Sequence, residues 1–180
     1  MENRKLIVVI EDNEDDFKEI CIIVNKENFI VAPKNDTKIT SDSEFSKLRK
    51  SIRTYYTKGE PQQSEAWGKI QNFVNNYTPT GFIIDFMLGK INTDGISFYR
   101  NFIEDKYPNI PVIFVSGTED KDTWNNIINP KVVAINQGKH QIIAHSFMKK
   151  IEDGKIKNIT DLQEKIKSLF NNQSKNPPKG

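Results

Sequence analysis

Continuous apolar runs that end in polar or acidic residues recur along this chain. The runs that predict strands are residues 5–10 (KLIVVI), 29–32 (FIVA), 81–88 (GFIIDFML, with one acid inside it), 110–115 (IPVIFV) and 142–148. Consecutive rather than alternating apolar positions are typical of strands that are buried on both faces of a parallel sheet. Residues that follow such strands lie at the carboxyl edge of the sheet, where open α/β proteins place their ligand sites.

Amphipathic segments separate these runs. Apolar residues three and four positions apart predict helices after Asn13, at 43–56, at 64–77, after Asp94, at 120–128 and at 160–170, with a short extra strand at 132–135. Strands alternating with helices predict an α/β doubly wound fold with a five-stranded parallel sheet. Two helices between the second and third strands predict an inserted helical segment at about 34–62. We expect one domain over 1–171 and a disordered tail over 172–180.

Composition narrows the function classes. The chain has 180 residues, a net charge of +2 and a pI near 8.5, a balance too even to predict nucleic-acid or membrane binding. Its single cysteine, Cys21, excludes an internal disulfide and is predicted to be a small buried side chain. The first apolar run is too short for a signal peptide or a membrane span, so we expect a soluble protein in the cytoplasm.

Charged and hydroxyl side chains stand at four of the predicted strand ends. Glu11 and Asp12 follow the first strand, Asp85 ends the third, Ser116 ends the fourth, and Lys149 and Lys150 end the last. Carboxylates crowded at one edge need a cation, and oxygen ligands favour Mg²⁺. A hydroxyl and an ammonium beside them suit a transferred phosphoryl group, with Asp85 as the nucleophile that forms an acyl phosphate.

Four short motifs stand at these strand ends: residues 10–16 (IEDNEDD), 84–88 (IDFML) with 94–96 (DGI), 111–117 (PVIFVSG) and 147–150 (FMKK). In this order they resemble the motifs of response-regulator receiver domains, the CheY-like phospho-accepting modules of two-component signalling. The resemblance extends from Lys5 to about Phe170. It implies a flavodoxin-like fold in which the insertion between strands two and three, and a long region between strands four and five, are additions.

The resemblance also implies a metal site and a phosphoryl acceptor. Asp85 would accept a phosphoryl group from a histidine kinase or a phosphotransfer protein. Asp12, Asp85 and the backbone carbonyl of Met87 would bind Mg²⁺ directly, and Glu11 would assist directly or through water. The protein would then act as a single-domain switch rather than an enzyme, and would signal to a downstream protein.

The same resemblance implies roles for a serine, an aromatic residue and a lysine. Ser116 would contact the phosphoryl group, and Phe147 would be the aromatic residue whose position follows the Ser116 hydroxyl. Lys150 aligns better than Lys149 with the family's lysine. Receivers usually carry a proline after this lysine, whereas Ile151 stands here, so the shape of this loop is left open.

Two alternatives to a phospho-accepting receiver remain open from the sequence. The missing proline and the long segment before the last strand also fit a degenerate receiver, which binds proteins independently of phosphorylation. An Asp-nucleophile phosphatase is the third possibility. Such enzymes usually carry a second aspartate two residues after the nucleophile, but Phe86 and Met87 follow Asp85.

Overall fold

A parallel β-sheet forms the centre of the computed structural model. The structure describes residues 5–36, 38–88, 94–116, 122, 126, 130, 132, 142–146, 151–152, 155–156 and 159–171. The sheet consists of β1 (Leu6–Ile10), β2 (Ile30–Ala32), β3 (Gly81–Asp85), β4 (Val112–Ser116) and β5 (Ile142–Ser146). The strands lie in the order β2-β1-β3-β4-β5, and every neighbouring pair is parallel. This is the doubly wound order of flavodoxin and CheY.

Five helices with described bounds and a short hairpin accompany the sheet. The helices are α1 (Glu14–Lys26), α2 (Glu44–Thr57), α3 (Gln62–Asn75), α4 (Asp94–Phe102) and α5 (Ile159–Asn171). The hairpin pairs β6 (Ile151–Glu152) with β7 (Lys155–Ile156) in antiparallel register. Helices α2 and α3 both lie between β2 and β3 in the chain.

The two faces of the sheet support two separate hydrophobic clusters. Alternate strand residues such as Val8, Phe82 and Phe114 point to the cluster that α2, α3 and α4 cover. Their neighbours, such as Ile83, point to the cluster that α1 and α5 cover. Strand residues are buried on both faces, which explains why their sequences are apolar at consecutive positions.

Polar side chains fix the starts of the first two helices. Asn13 caps α1, since its side chain accepts hydrogen bonds from the backbone amides of Asp15 (2.9 Å) and Asp16 (3.3 Å). Ser43 caps α2 by accepting from the amide of Ser46 (3.2 Å). Both caps satisfy amides that have no partner inside their helices.

The sequence predicted the type of most elements and missed some boundaries. The α/β class with a parallel sheet is confirmed, and Cys21 is fully buried as expected. The extra strand predicted at 132–135 is wrong at Val132, which is helical and buried against the α3–α4 side of the sheet; residues 133–135 lie outside the described part. The helix predicted at 64–77 begins at Gln62 and ends at Asn75 instead. The tail and the domain bounds remain predictions.

Gly95 permits the close approach of α4 to the end of β3. Its amide donates to the Phe86 carbonyl at 3.2 Å, and a Cβ placed on it would overlap the backbone carbonyl oxygen of Asp85. The obstacle is backbone, which cannot rotate aside as a flexible side chain can. The glycine therefore determines how closely the start of α4 lies to Asp85.

We predict that Gly95→Ala destabilises the protein by roughly 2–4 kcal/mol, because α4 must move away from β3. Gly68→Ala is the matched control: Gly68 lies inside α3 with open space around its Cβ position, and alanine there should stabilise by up to about 1 kcal/mol. Urea unfolding of both variants measures the difference. Equal stability of Gly95→Ala and wild type would contradict the role of this contact.

Candidate functional site

Three acidic side chains converge at the carboxyl edge of the sheet. Asp85 is the last residue of β3, and Glu11 and Asp12 directly follow the neighbouring strand β1. One carboxylate oxygen from each of the three lies within 4.8 Å of the other two. The structure therefore brings together acids that are more than seventy positions apart in the chain.

Glu11 has one oxygen committed to the backbone. Its Oε1 accepts hydrogen bonds from the amides of Asp12 (2.9 Å) and Asn13 (2.8 Å). The side chain is buried, and burial raises its pKa well above the usual value, with the negative charge of Asp85 adding to the increase. Glu11 thus shapes the loop that leads into α1 and still presents carboxylate to the site.

Asp85 is also held in surroundings that disfavour its charge. Burial raises its pKa to about 7, a backbone hydrogen bond from Met87 opposes this increase, and the charge of Asp12 adds to it. Without a cation, the pKa values of Glu11 and Asp85 are therefore raised by desolvation and by neighbouring negative charges. A positive ion among them would relieve both effects.

Asp12 has a positively charged partner that the sequence analysis missed. Arg53 of α2 donates from Nε to Asp12 Oδ2 at 3.1 Å and from Nη2 to the Asp12 carbonyl oxygen at 3.2 Å. Arg53 is 41 positions away in the chain. Nothing in its local pattern distinguishes it from other charged residues on the outer side of an amphipathic helix.

The remaining predicted site residues fall into two groups. Ser116 is buried at the end of β4, one position beyond Val115, which lies beside Asp85 in the sheet register. Met87 lies two positions after Asp85, and its side chain is exposed. The other predicted positions, Phe147, Lys149 and Lys150, lie outside the described residues, so their proximity to Asp85 stays a prediction.

The donor set fits a hard divalent cation. The three converging groups are all carboxylates, and oxygen ligands are what Mg²⁺ and Mn²⁺ prefer. Two of them are buried and have raised pKa values, as expected of ligands that lack a compensating charge. This cluster can hold a divalent metal.

Comparisons with known proteins give relatives by structure but not by sequence. No protein-family model and no curated protein matches the chain. One similar solved structure is a fusion that carries the yeast Spc42 trimeric coiled coil (amino acids 181–211), with a TM-score of 0.52, 14% identity, and coverage of 96% of this chain and 80% of that one.

Two further similar structures are response regulators. The Mn²⁺-bound form of response regulator Rcp1 has a TM-score of 0.49 and 14% identity, covering 92% of this chain and 94% of that one. The N-terminal domain of a response regulator/sensory box/GGDEF three-domain protein from Carboxydothermus hydrogenoformans has a TM-score of 0.43 and 15% identity, covering 91% and 97%. The fold itself follows from the strand order β2-β1-β3-β4-β5 of the parallel sheet, which is the doubly wound, flavodoxin-like order.

The described part of the chain contains no helix long and apolar enough to cross a bilayer.

We predict that Asp85→Asn stabilises the metal-free protein at high pH. The folded pKa of about 7 is above that of an unfolded aspartate, so the stability that protonated Asp85 provides is complete below about pH 4 and is lost as the pH rises through 7. In EDTA, the variant should exceed wild type by roughly 1–3 kcal/mol at pH 8 and by little near pH 4.

Urea unfolding at several pH values measures this difference. Asp42→Asn, the same change at an exposed position, should leave the pH profile of wild type unchanged. A constant difference between Asp85→Asn and wild type from pH 4 to 8 would contradict the raised pKa of Asp85.

Proposed function

We propose that this protein is a response-regulator receiver that accepts a phosphoryl group on Asp85 in a Mg²⁺-dependent reaction. The observation that supports it most is the convergence of Glu11, Asp12 and Asp85, whose carboxylate oxygens lie within 4.8 Å of one another. They lie at the carboxyl edge of a sheet with the CheY strand order, with Ser116 at the end of the adjacent strand. Burial and the charge of Asp12 raise the pKa of Asp85, and an acid perturbed in this way beside other acids suits a functional group better than a structural one.

The reaction follows from the chemistry of a carboxylate. An Asp85 oxygen attacks phosphorus, the bond from phosphorus to the donor's imidazole nitrogen breaks, and its electron pair stays on the imidazole. The product is an acyl phosphate on Asp85. Bound Mg²⁺ would neutralise phosphoryl oxygens and favour ionised Asp85. Asp12, Asp85 and the Met87 carbonyl would hold the ion, with Glu11 directly or through water.

Residues from the last strands would sense the product. The Ser116 hydroxyl would donate to a phosphoryl oxygen, and a lysine, Lys150 in preference to Lys149, would balance its charge. Phe147 would follow the movement of Ser116. A change of this kind alters a surface near β4 and β5, which is how a domain without catalytic output transmits a signal.

The partners belong to the same proposal. The donor is a histidine kinase or a phosphotransfer protein, and the output is a contact with a downstream protein in the cytoplasm. The protein acts as a switch and not as an enzyme. Phe86 is buried in the core next to Asp85, and no carboxylate stands two positions after the nucleophile, where an Asp-based phosphatase would need its general acid.

One observation favours a degenerate receiver as the second candidate. The Arg53 guanidinium already neutralises Asp12 within the chain. A receiver that has lost its metal could retain its fold in this way and bind partners without phosphorylation.

We expect the full chain, incubated with Mg²⁺ and acetyl phosphate, to gain the mass of one phosphoryl group. Asp85→Asn should gain none, because it lacks the nucleophile, and Asp42→Asn should gain as much as wild type. Intact-protein mass spectrometry measures all three, and omission of Mg²⁺ tests the metal requirement. An unmodified wild type, or an equal gain in Asp85→Asn, would refute phosphate acceptance and favour the degenerate receiver.

A further inference from the structure

Helix α2 places a guanidinium on one of the three converging acids. Arg53 contacts both the side chain and the backbone carbonyl of Asp12, at 3.1 and 3.2 Å. The Asp12 side chain is only 13% exposed, whereas the Arg53 side chain is 51% exposed. The contact is therefore largely shielded from water on the Asp12 side. Water screens the contact less at Asp12 than it would between two exposed side chains.

Other contacts fix α2 in the position from which Arg53 reaches Asp12. The Phe45 ring stacks on Phe17 of α1 with 4.2 Å between ring centroids, and Leu48 and Ile52 are buried. At the other end of the helix, the Tyr56 hydroxyl donates to the Asp94 carbonyl at 2.7 Å. Helix α2 is therefore attached to elements on both sides of the acidic cluster, and Arg53 lies between these attachments.

We propose that Arg53 is a built-in competitor for the divalent cation, so that α2 controls the metal affinity of the acidic cluster. This inference rests on the metal-binding part of the proposed function. A cation that takes Asp12 as a ligand must displace the guanidinium or bind beside it. The competition is reciprocal: bound metal weakens the Arg53–Asp12 contact by the same factor by which that contact weakens metal binding.

Electrostatics gives the direction and the scale of the effect. A positive charge a few ångströms from a divalent ion disfavours its binding, and a guanidinium hydrogen-bonded to a ligand oxygen occupies that oxygen as well. Arg53 is 51% exposed and can turn into solvent when displaced, which limits how far it weakens metal binding. We therefore expect that removing its charge tightens metal binding about tenfold.

A neighbouring arginine provides the matched control. Arg49 lies one turn earlier on α2, and its Nη1 approaches Glu14 Oε2 at 3.9 Å rather than any of the three acids. Arg49→Gln removes the same charge from the same helix without freeing Asp12. Comparing it with Arg53→Gln separates direct competition from the general effect of net charge.

The first experiment titrates Mg²⁺ and, separately, Mn²⁺ into the full-length wild type, Arg53→Gln and Arg49→Gln by calorimetry, after circular dichroism has shown that each variant is folded. We expect Arg53→Gln to bind about tenfold more tightly than wild type and Arg49→Gln to stay within about twofold. Binding that is measurable only in Arg53→Gln would support the same conclusion. Equal or weaker binding by Arg53→Gln, or an equal gain in Arg49→Gln, would overturn it.

A second readout uses wild type alone and does not depend on a variant's folding. The Arg53 Nε–H donates to Asp12, so its NMR signal should shift and exchange faster with water when Mg²⁺ is added. An unchanged signal at saturating Mg²⁺ would overturn the proposal and leave the receiver function intact. If neither wild type nor Arg53→Gln bound a divalent ion, both this inference and the metal-dependent function would fail.

Discussion

The concentration of negative charge at the ends of two central strands is the constraint on which the rest of this structure depends. Glu11 and Asp85 are largely removed from water, which raises the pKa of both; the charge of Asp85 raises the pKa of Glu11 further, and the charge of Asp12 raises that of Asp85. Three kinds of compensation surround them: backbone amides on Glu11, a backbone hydrogen bond on Asp85, and the guanidinium of Arg53 on Asp12. Among the described residues, none of these groups neutralises Asp85 itself, and the cluster could hold a divalent cation there.

The pair of helices between β2 and β3 is part of this arrangement rather than a surface addition. Glu44, at the start of α2, accepts from the Lys34 amide at 2.8 Å and from the Tyr77 hydroxyl, so the pair is tied to the ends of the segments that flank it. Near the end of α2, the Tyr55 ring packs against Trp67 of α3 and Phe102 of α4. The helices therefore cover one face of the sheet and bring a basic side chain to its carboxyl edge.

The sequence predicted those features that depend on local pattern. Buried strands and the caps Asn13 and Ser43 carry their signal within a few residues, and parallel strand ends must share an edge, so Asp85 could be placed near Asp12 from topology alone. Arg53 could not, because its partner is determined by how α2 packs on α1 and not by neighbouring residues. The strands β6 and β7 have two residues each, too few for any periodicity to predict. Val132 has the β-branched character of a strand residue, but tertiary packing places it in helical backbone.

Helix α2 connects the acidic cluster to the start of α4. Arg53 binds Asp12, and Tyr56, almost one turn further along the same helix, donates to the Asp94 carbonyl. The residue after Asp94, Gly95, lies against the backbone of Asp85. One helix thus contacts both the acidic cluster, through Arg53, and the first residue of α4, through Tyr56. Coupling needs an element with two arrangements that both sites influence, and the ion pair supplies one arrangement while a bound cation would supply the other.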